Sequence, residues 1–122
     1  MNAVTPLTER GNYGAQTIRT DRDTEYDVIS RVTRMLRQAG DDGLSPDATM
    51  AIHKNNELWA LLAGDLAHPG NTLPDEIKAG LLSLAGFALR HGQVVLGGGG
   101  SIKPLVDINL SVMRGLRGEA PV

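Results

Sequence analysis

Apolar side chains recur at steps of three and four residues in four parts of the chain, which is the pattern of helices with one buried face. The first part predicts a helix from about Asp21 to Ala39. Thr20 precedes it as a candidate N-cap, and Gly40 follows it as a natural C′ residue. Its apolar stripe consists of Val28, Ile29, Val32, Met35, Leu36 and Ala39.

The second predicted helix has strong signals at both ends. Ser45 is a favourable N-cap, and Pro46 is a favourable first residue because the N–H that proline lacks would go unpaired there. The helix ends near Ala67, before the stop signal His68-Pro69-Gly70. Its stripe consists of Ala48, Ala51, Ile52, Asn55, Leu58, Trp59, Leu62 and Leu66.

The third predicted helix is apolar almost all round. We predict that Asn71-Thr72 caps it, that Pro74 lies near its first turn, and that the glycine run Gly97–Gly100 ends it. A helix that is apolar on every side is usually surrounded by other helices. The sequence therefore predicts that this helix lies at the centre of the fold. Its apolar positions include Ile77, Leu81, Leu82, Leu84, Ala85, Phe87, Ala88, Leu89, Val95 and Leu96.

A fourth helix is predicted after the glycine run, with Ser101 as its cap. Its stripe consists of Leu105, Ile108, Val112 and Leu116, with Val106 and Met113 beside it. Short connections between consecutive helices favour antiparallel neighbours. We therefore predict an all-α fold, a small antiparallel bundle of about four helices.

The start of the chain differs from the rest. Residues 1–19 show no sustained period and contain Pro6, Gly11 and Gly14. We predict that they form a flexible N-terminal arm in front of a single helical domain over residues 20–118. Tyr13 and Ile18 are apolar exceptions within this arm.

Composition and charge exclude several classes of protein. The chain has 122 residues, which fits one domain, and no cysteine, which removes disulfides and thiolate metal sites. A formal net charge of −2 offers no electrostatic footprint for nucleic acid. The longest uncharged apolar stretch, Ala79–Leu89, is far shorter than the ~20 residues that span a bilayer. The segment Met1–Glu9 lacks the apolar region of a secretory signal. We expect neither direct nucleic-acid binding nor a membrane span.

Groups that could carry out a reaction are scarce. His53 with Glu57, and Asp65 with His68, would each place two ligands on one helix face, but zinc or iron needs three or four. The glycine run before Lys103 lacks the spacing and the preceding strand of a phosphate-binding loop. We therefore expect no metal, no cofactor and no enzymatic activity.

Two sets of polar residues allow two interpretations each. The first set is a row of arginines on the first helix, either a basic patch for nucleic acid or a solvated face: Arg31, Arg34 and Arg37. The second set is Asn55 and Asn109, which lie within apolar stripes and either fix the register of the bundle or bond to a partner's backbone. Trp59 has the same ambiguity, because a lone tryptophan is either core or a binding hot spot.

Seven short segments together resemble one protein family. They are Tyr13-Gly14, Asp23-Thr24-Glu25-Tyr26, Asn56-Glu57-Leu58-Trp59, Asp65-Leu66-Ala67, Asn71-Thr72-Leu73-Pro74-Asp75-Glu76, Pro104-Leu105-Val106-Asp107-Ile108-Asn109 and Met113-Arg114-Gly115-Leu116. In order and spacing they are similar to the flagellar FlaF family of alphaproteobacteria, from Tyr13 to Leu116. The chain departs from the family in a longer N-terminal leader and in its glycine run.

The resemblance implies a cytoplasmic protein needed for flagellin production and export. Members of the family are described as flagellin synthesis regulators or flagellin secretion chaperones, which work alongside the FlbT family of flagellin-mRNA regulators. The terminal regions of flagellin are disordered before they become helical in the filament, and their premature pairing has to be prevented. The expected partners are therefore flagellin and a FlbT-family regulator. We expect a monomer in the unbound state, or a heterodimer with cargo.

The binding surface is predicted as an apolar groove between the second and fourth helices that holds an amphipathic flagellin segment. The residues assigned to it are Tyr13, Ile18, Trp59, Leu62, Leu66, Ile108, Val112 and Met113. Tyr13 and Ile18 would cover the groove when it is empty. The alternative function is a regulatory adaptor that acts with FlbT on flagellin mRNA translation.

Overall fold

Four helices make up the part of the chain that the computed structural model describes, residues 21–40 and 45–116. They are α1 (Asp21–Ala39), α2 (Pro46–Ala67), α3 (Asp75–Leu96) and α4 (Lys103–Leu116). The predicted all-helical arrangement of four helices is therefore confirmed. The predicted arm, including Tyr13 and Ile18, and the candidate cap Thr20 lie outside the described residues.

Local signals set several of the helix ends as predicted. Ser45 Oγ accepts a hydrogen bond from the Ala48 N–H at 3.1 Å, so it caps the start of α2. Gly40 follows α1 with a φ of +76°, a conformation that favours glycine. After α3, Gly98 has a φ of +92° and Gly99 N–H donates to the Val94 carbonyl at 2.9 Å. The glycine run thus closes α3 in a compact turn that pairs its last carbonyls.

The predicted cap of α3 is wrong. Pro74 occupies its N-cap position and makes no side-chain capping bond. Asn71 is already used in its own turn, because its Oδ1 accepts from the Leu73 N–H at 3.0 Å and its Nδ2 donates to the Asp65 carbonyl at 3.2 Å. Asn71 therefore ties the connection to the end of α2 and leaves the start of α3 without a side-chain cap.

The predicted cap of α4 is also wrong. The Ile102 carbonyl accepts from the N–H groups of Leu105 and Val106, which puts Ile102, not Ser101, at the N-cap. The Ser101 carbonyl accepts from His91 Nε2 at 2.7 Å instead. Ile102 is buried in the core, so burial of an apolar side chain, not a capping bond, holds the start of α4.

The core consists of two adjoining clusters. The larger one joins the C-terminal halves of α1 and α3 to the N-terminal half of α4 and to α2: Leu36, Ala48, Ala51, Ile52, Trp59, Ala85, Ala88, Val95, Ile102 and Leu105. The smaller one joins the other ends of α1, α2 and α4: Ile29, Val32, Leu58 and Met113. Opposite halves of consecutive helices meet in these clusters, so the helices are antiparallel neighbours.

Among the four described helices none is central, and the prediction that α3 is central is wrong. Each helix packs on two neighbours, and α3 packs mainly on α2 and only over a short stretch on α4. α4 has 14 residues and α3 has 22, so at about 1.5 Å per residue α4 is about 12 Å too short to cover α3. Large apolar side chains are exposed along the length of α3, among them Ile77 (50 %), Phe87 (41 %) and Val94 (51 %).

The exposed apolar surface of α3 also shows in its hydropathy. By length and composition alone, α3 could cross a membrane, with a mean hydropathy of 1.2 over its most apolar 18 residues, of which 22 % are buried. Helices that belong to a protein core pass the same test. The low burial distinguishes α3 from such a core helix, so packing among the described residues does not explain its apolar composition.

α3 approaches α2 closely at Gly92, because a Cβ added there would collide with Asn56 Oδ1. Gly92→Ala is therefore expected to be about 1–3 kcal/mol less stable than the same substitution at an uncrowded helix position, the usual effect of overpacking. The matched control is Gly64→Ala, since Gly64 lies in α2 with nothing within 4 Å of an added Cβ. It should raise the free energy of unfolding by about 1 kcal/mol through helix propensity. Urea unfolding followed by circular dichroism measures both, and equal effects would contradict this close packing.

Candidate functional site

A buried polar network connects α2 with α4. Trp59 Nε1 donates to Asn109 Oδ1 at 2.9 Å, and Asn109 Nδ2 donates to Asn55 Oδ1 at 2.8 Å. All three side chains are almost completely buried. These contacts support the structural interpretation of both asparagines, because their bonds join two helices of this chain. Asn55 Nδ2 is buried without a partner among the described residues.

The residues predicted to bind a partner fall into three groups. Trp59, Leu66 and Met113 are buried in the core, although the edge of Met113 (8 % exposed) reaches the surface between α1 and α4. The others that the structure describes are half-buried and pack against the core clusters: Leu62, Ile108 and Val112. Tyr13 and Ile18 lie outside the described residues. The structure thus does not bring the set together as one open groove, since core side chains fill the space between α2 and α4. Partner binding by these residues stays a prediction.

Two open grooves run along the sides of α4. The first, called the α3–α4 groove, has a volume of about 430 Å³. It is lined by Leu84 of α3 and by Asp107, Ile108, Leu110, Ser111 and Arg114 of α4. The second, called the α1–α4 groove, has a volume of about 370 Å³. It is lined by Ser30, Thr33, Arg34, Arg37 and Gln38 of α1 and by Leu110 and Met113 of α4. Leu110 contributes to both grooves, so they are neighbours.

An apolar stripe on α3 extends the α3–α4 groove. Its members, called the α3 stripe, follow one another at alternating steps of three and four residues: Ile77, Gly80, Leu84, Phe87, His91 and Val94. Leu84 lines the groove, and the rings of Phe87 and His91 stack with their centroids 5.5 Å apart. This alternating spacing is typical of a helix face that receives another helix.

The sequence contained part of the signal for this surface. Periodicity predicts Ile77, Leu84 and Phe87 as apolar helix positions, and a central α3 would place them in the core. Periodicity within one helix does not say which of its faces the neighbouring helices cover. The exposure of the α3 stripe depends on how α2 and α4 pack against α3, which only the tertiary structure decides.

The ionisable groups of the grooves are mainly basic. Arg34 and Arg37 line one groove and Arg114 lines the other. Asp107 is the carboxylate of these linings, and Lys103 Nζ donates to its Oδ2 at 2.8 Å. Arg114 Nε is buried without a hydrogen-bond partner among the described residues. The grooves therefore combine apolar surface with guanidinium groups that have capacity left to donate.

Residues 21–40 and 45–116 also bear on metal sites, in which several ionisable side chains have to converge. No group of three or more histidine, cysteine, aspartate or glutamate side chains in these ranges could hold a metal ion. His53 and Glu57 are both exposed on α2. The features that stand out in the described part of the chain are thus apolar surface, shape and charge, which serve recognition.

The family model described as flagellar protein FlaF matches residues 12–116. No curated protein and no solved structure matches. The matched range includes all four helices and both grooves, and it begins before α1.

Proposed function

This chain belongs to the FlaF family of flagellar proteins, and on that premise we propose that it binds flagellin as a secretion chaperone and regulator. In this proposal an amphipathic segment of flagellin lies as a helix along the α3 stripe and the α3–α4 groove. The observation that carries the proposal is the exposure of the α3 stripe, whose members Ile77 and Phe87 have no covering helix among the described residues. The proposed place of action is the cytoplasm, where flagellin is made.

The physical basis is the addition of one helix to an incomplete bundle. A segment with apolar side chains at steps of three and four residues would place them against Ile77, Leu84 and Phe87, and would remove that surface from water. The terminal regions of flagellin, disordered before assembly, are the segments proposed to bind. Their ordering on binding lowers the net affinity, which suits cargo that has to be released for export.

Calorimetry with purified monomeric flagellin tests this proposal. We expect binding to intact flagellin, and loss of binding when the terminal region that occupies the groove is deleted. Flagellin lacking one terminus and flagellin lacking the other are measured side by side, so each serves as the control for the other. Binding that survives deletion of either terminus would contradict a terminal segment as the ligand. An absence of binding to intact flagellin would remove the chaperone proposal altogether.

The second candidate is a regulatory adaptor that contacts a FlbT-family regulator. Its support is a separate exposed face of α2, on which the apolar side chains Leu61 (75 % exposed) and Met50 (55 % exposed) flank the ion pair of Lys54 with Glu57. This face points away from the core and does not belong to either groove. A regulator could therefore bind there while flagellin occupies the α3 stripe, and cargo occupancy would be coupled to regulator affinity by linkage. Loss of regulator binding in a Leu61→Glu variant that still binds flagellin would support this arrangement.

A further inference from the structure

Three arginines surround Leu110, the residue that both grooves share. Arg34 and Arg37 lie one turn apart on α1, on one side of Leu110, and Arg114 lies on α4 in the groove on its other side. The chain as a whole has a formal net charge of −2, so this face has a local excess of positive charge on an acidic protein.

Among the described residues, no ion pair joins these arginines to a carboxylate. Ion pairs there join Lys54 to Glu57 and Lys103 to Asp107. Asp107, the carboxylate of the groove linings, is thus already bonded to Lys103. Arg114 Nε is buried without a partner in the described part of the chain, which is unfavourable for a group that donates strongly.

Helix electrostatics explain only part of this arrangement. Arg37 and Arg114 lie in the last turns of α1 and α4, where a cation interacts favourably with the helix dipole. Arg34 lies a turn earlier, where the dipole effect is small. The dipole also leaves the planar N–H groups of the guanidinium free for a ligand.

We propose that these arginines select an acidic segment of the partner, so that the bound helix carries carboxylates along the edge of its apolar side that faces α4. The inference rests on the proposed function and specifies its ligand. The apolar side would lie on Leu84, Ile108 and Leu110, while carboxylates reach Arg114 in the α3–α4 groove and, across Leu110, Arg34 and Arg37 in the α1–α4 groove. Guanidinium and carboxylate match in geometry and form paired, charge-assisted hydrogen bonds.

Phosphate groups are the other anions that such arginines bind, so nucleic acid is the competing ligand. Single-stranded nucleic acid is usually held by aromatic side chains on which its bases stack. Neither groove lining includes an aromatic residue, and both include leucine or methionine. An acidic peptide therefore fits the grooves better than RNA does.

The test compares flagellin binding to the wild-type chain and to the variant Arg34→Gln/Arg114→Gln, which removes one charge from each groove. The control is Lys54→Gln/Lys78→Gln, which removes the same charge from α2 and α3 outside both groove linings. Calorimetry at several salt concentrations gives the affinity and its salt dependence, and thermal unfolding checks the fold. The groove variant should bind about 10- to 100-fold more weakly at low salt, with a flatter salt dependence, while the control should bind like the wild type.

Each other outcome has a separate meaning. Equal flagellin binding by the folded groove variant would overturn the inference and leave the proposed function standing. No flagellin binding by the wild type would overturn both. A parallel titration with a flagellin mRNA fragment separates the two ligand classes. RNA binding that is lost in the groove variant while flagellin binding is unchanged would assign the arginines to nucleic acid and overturn the inference.

Discussion

Replacing Asn109 by alanine is expected to lower the free energy of unfolding by about 2–5 kcal/mol, because two buried groups lose their partner and each costs about 1–3 kcal/mol. These groups are Trp59 Nε1 and Asn55 Oδ1, which Asn109 joins across the core at 2.9 and 2.8 Å. Both lie in side chains that water does not reach. Urea unfolding monitored by circular dichroism, with tryptophan fluorescence to report on Trp59, measures the change.

The control for this prediction removes the whole network. In Asn55→Leu/Trp59→Phe/Asn109→Leu no polar side-chain group of the network is left unpaired, including Asn55 Nδ2, which has no partner among the described residues of the wild type. Because replacing all polar partners by apolar groups of similar shape is often close to neutral, the triple variant should be clearly more stable than Asn109→Ala. If Asn109→Ala unfolds at the same urea concentration as the wild type, the network contributes nothing to stability.

The second large effect concerns binding. Replacing Ile77 and Phe87 by glutamate should weaken flagellin binding by about 100-fold or more, since two central apolar anchors would be lost and two charges would have to be buried under the ligand. Both side chains are largely exposed in the free protein, so the fold should survive. Calorimetry measures the affinity, and circular dichroism verifies the helix content.

The matched control places the same two charges on the exposed face of α2 that carries Met50 and Leu61. Met50→Glu/Leu61→Glu changes two exposed residues of α2, adds the same net charge and should leave flagellin binding unchanged. If both double variants lose binding equally, the loss reflects total charge and not the α3 stripe. If Ile77→Glu/Phe87→Glu binds as tightly as the wild type, flagellin does not lie along α3.

Leu62 and Val112, which the sequence assigns to the binding surface, are less suitable for such a double variant. Both residues are half-buried and pack against both core clusters. Aspartate at these positions would be buried in apolar surroundings, which is unfavourable for a charge. Loss of binding in that double variant would therefore report unfolding as readily as a missing contact.

What the sequence determined by itself is local. Ser45-Pro46 starts α2 and Gly40 follows α1 because capping bonds and backbone conformation depend on residues a few positions apart. The apolar stripes of α1 and α2 predicted their buried faces for the same reason, since one helix turn relates the residues concerned. The order and spacing of short segments also predicted the family. The match of the family model over residues 12–116 confirms it.

What only the tertiary structure decided depends on residues far apart in the chain. Periodicity placed Asn109 in an apolar stripe of α4. The hydrogen bond that Asn109 accepts comes from Trp59, which lies on α2. The same limit applies to α3, whose apolar circumference is equally compatible with a central helix and with an incompletely covered one. Which of these holds depends on the length and position of α4, and hence on packing. The candidate binding surface is apolar sequence left uncovered by its own fold, so no local pattern distinguishes it from core.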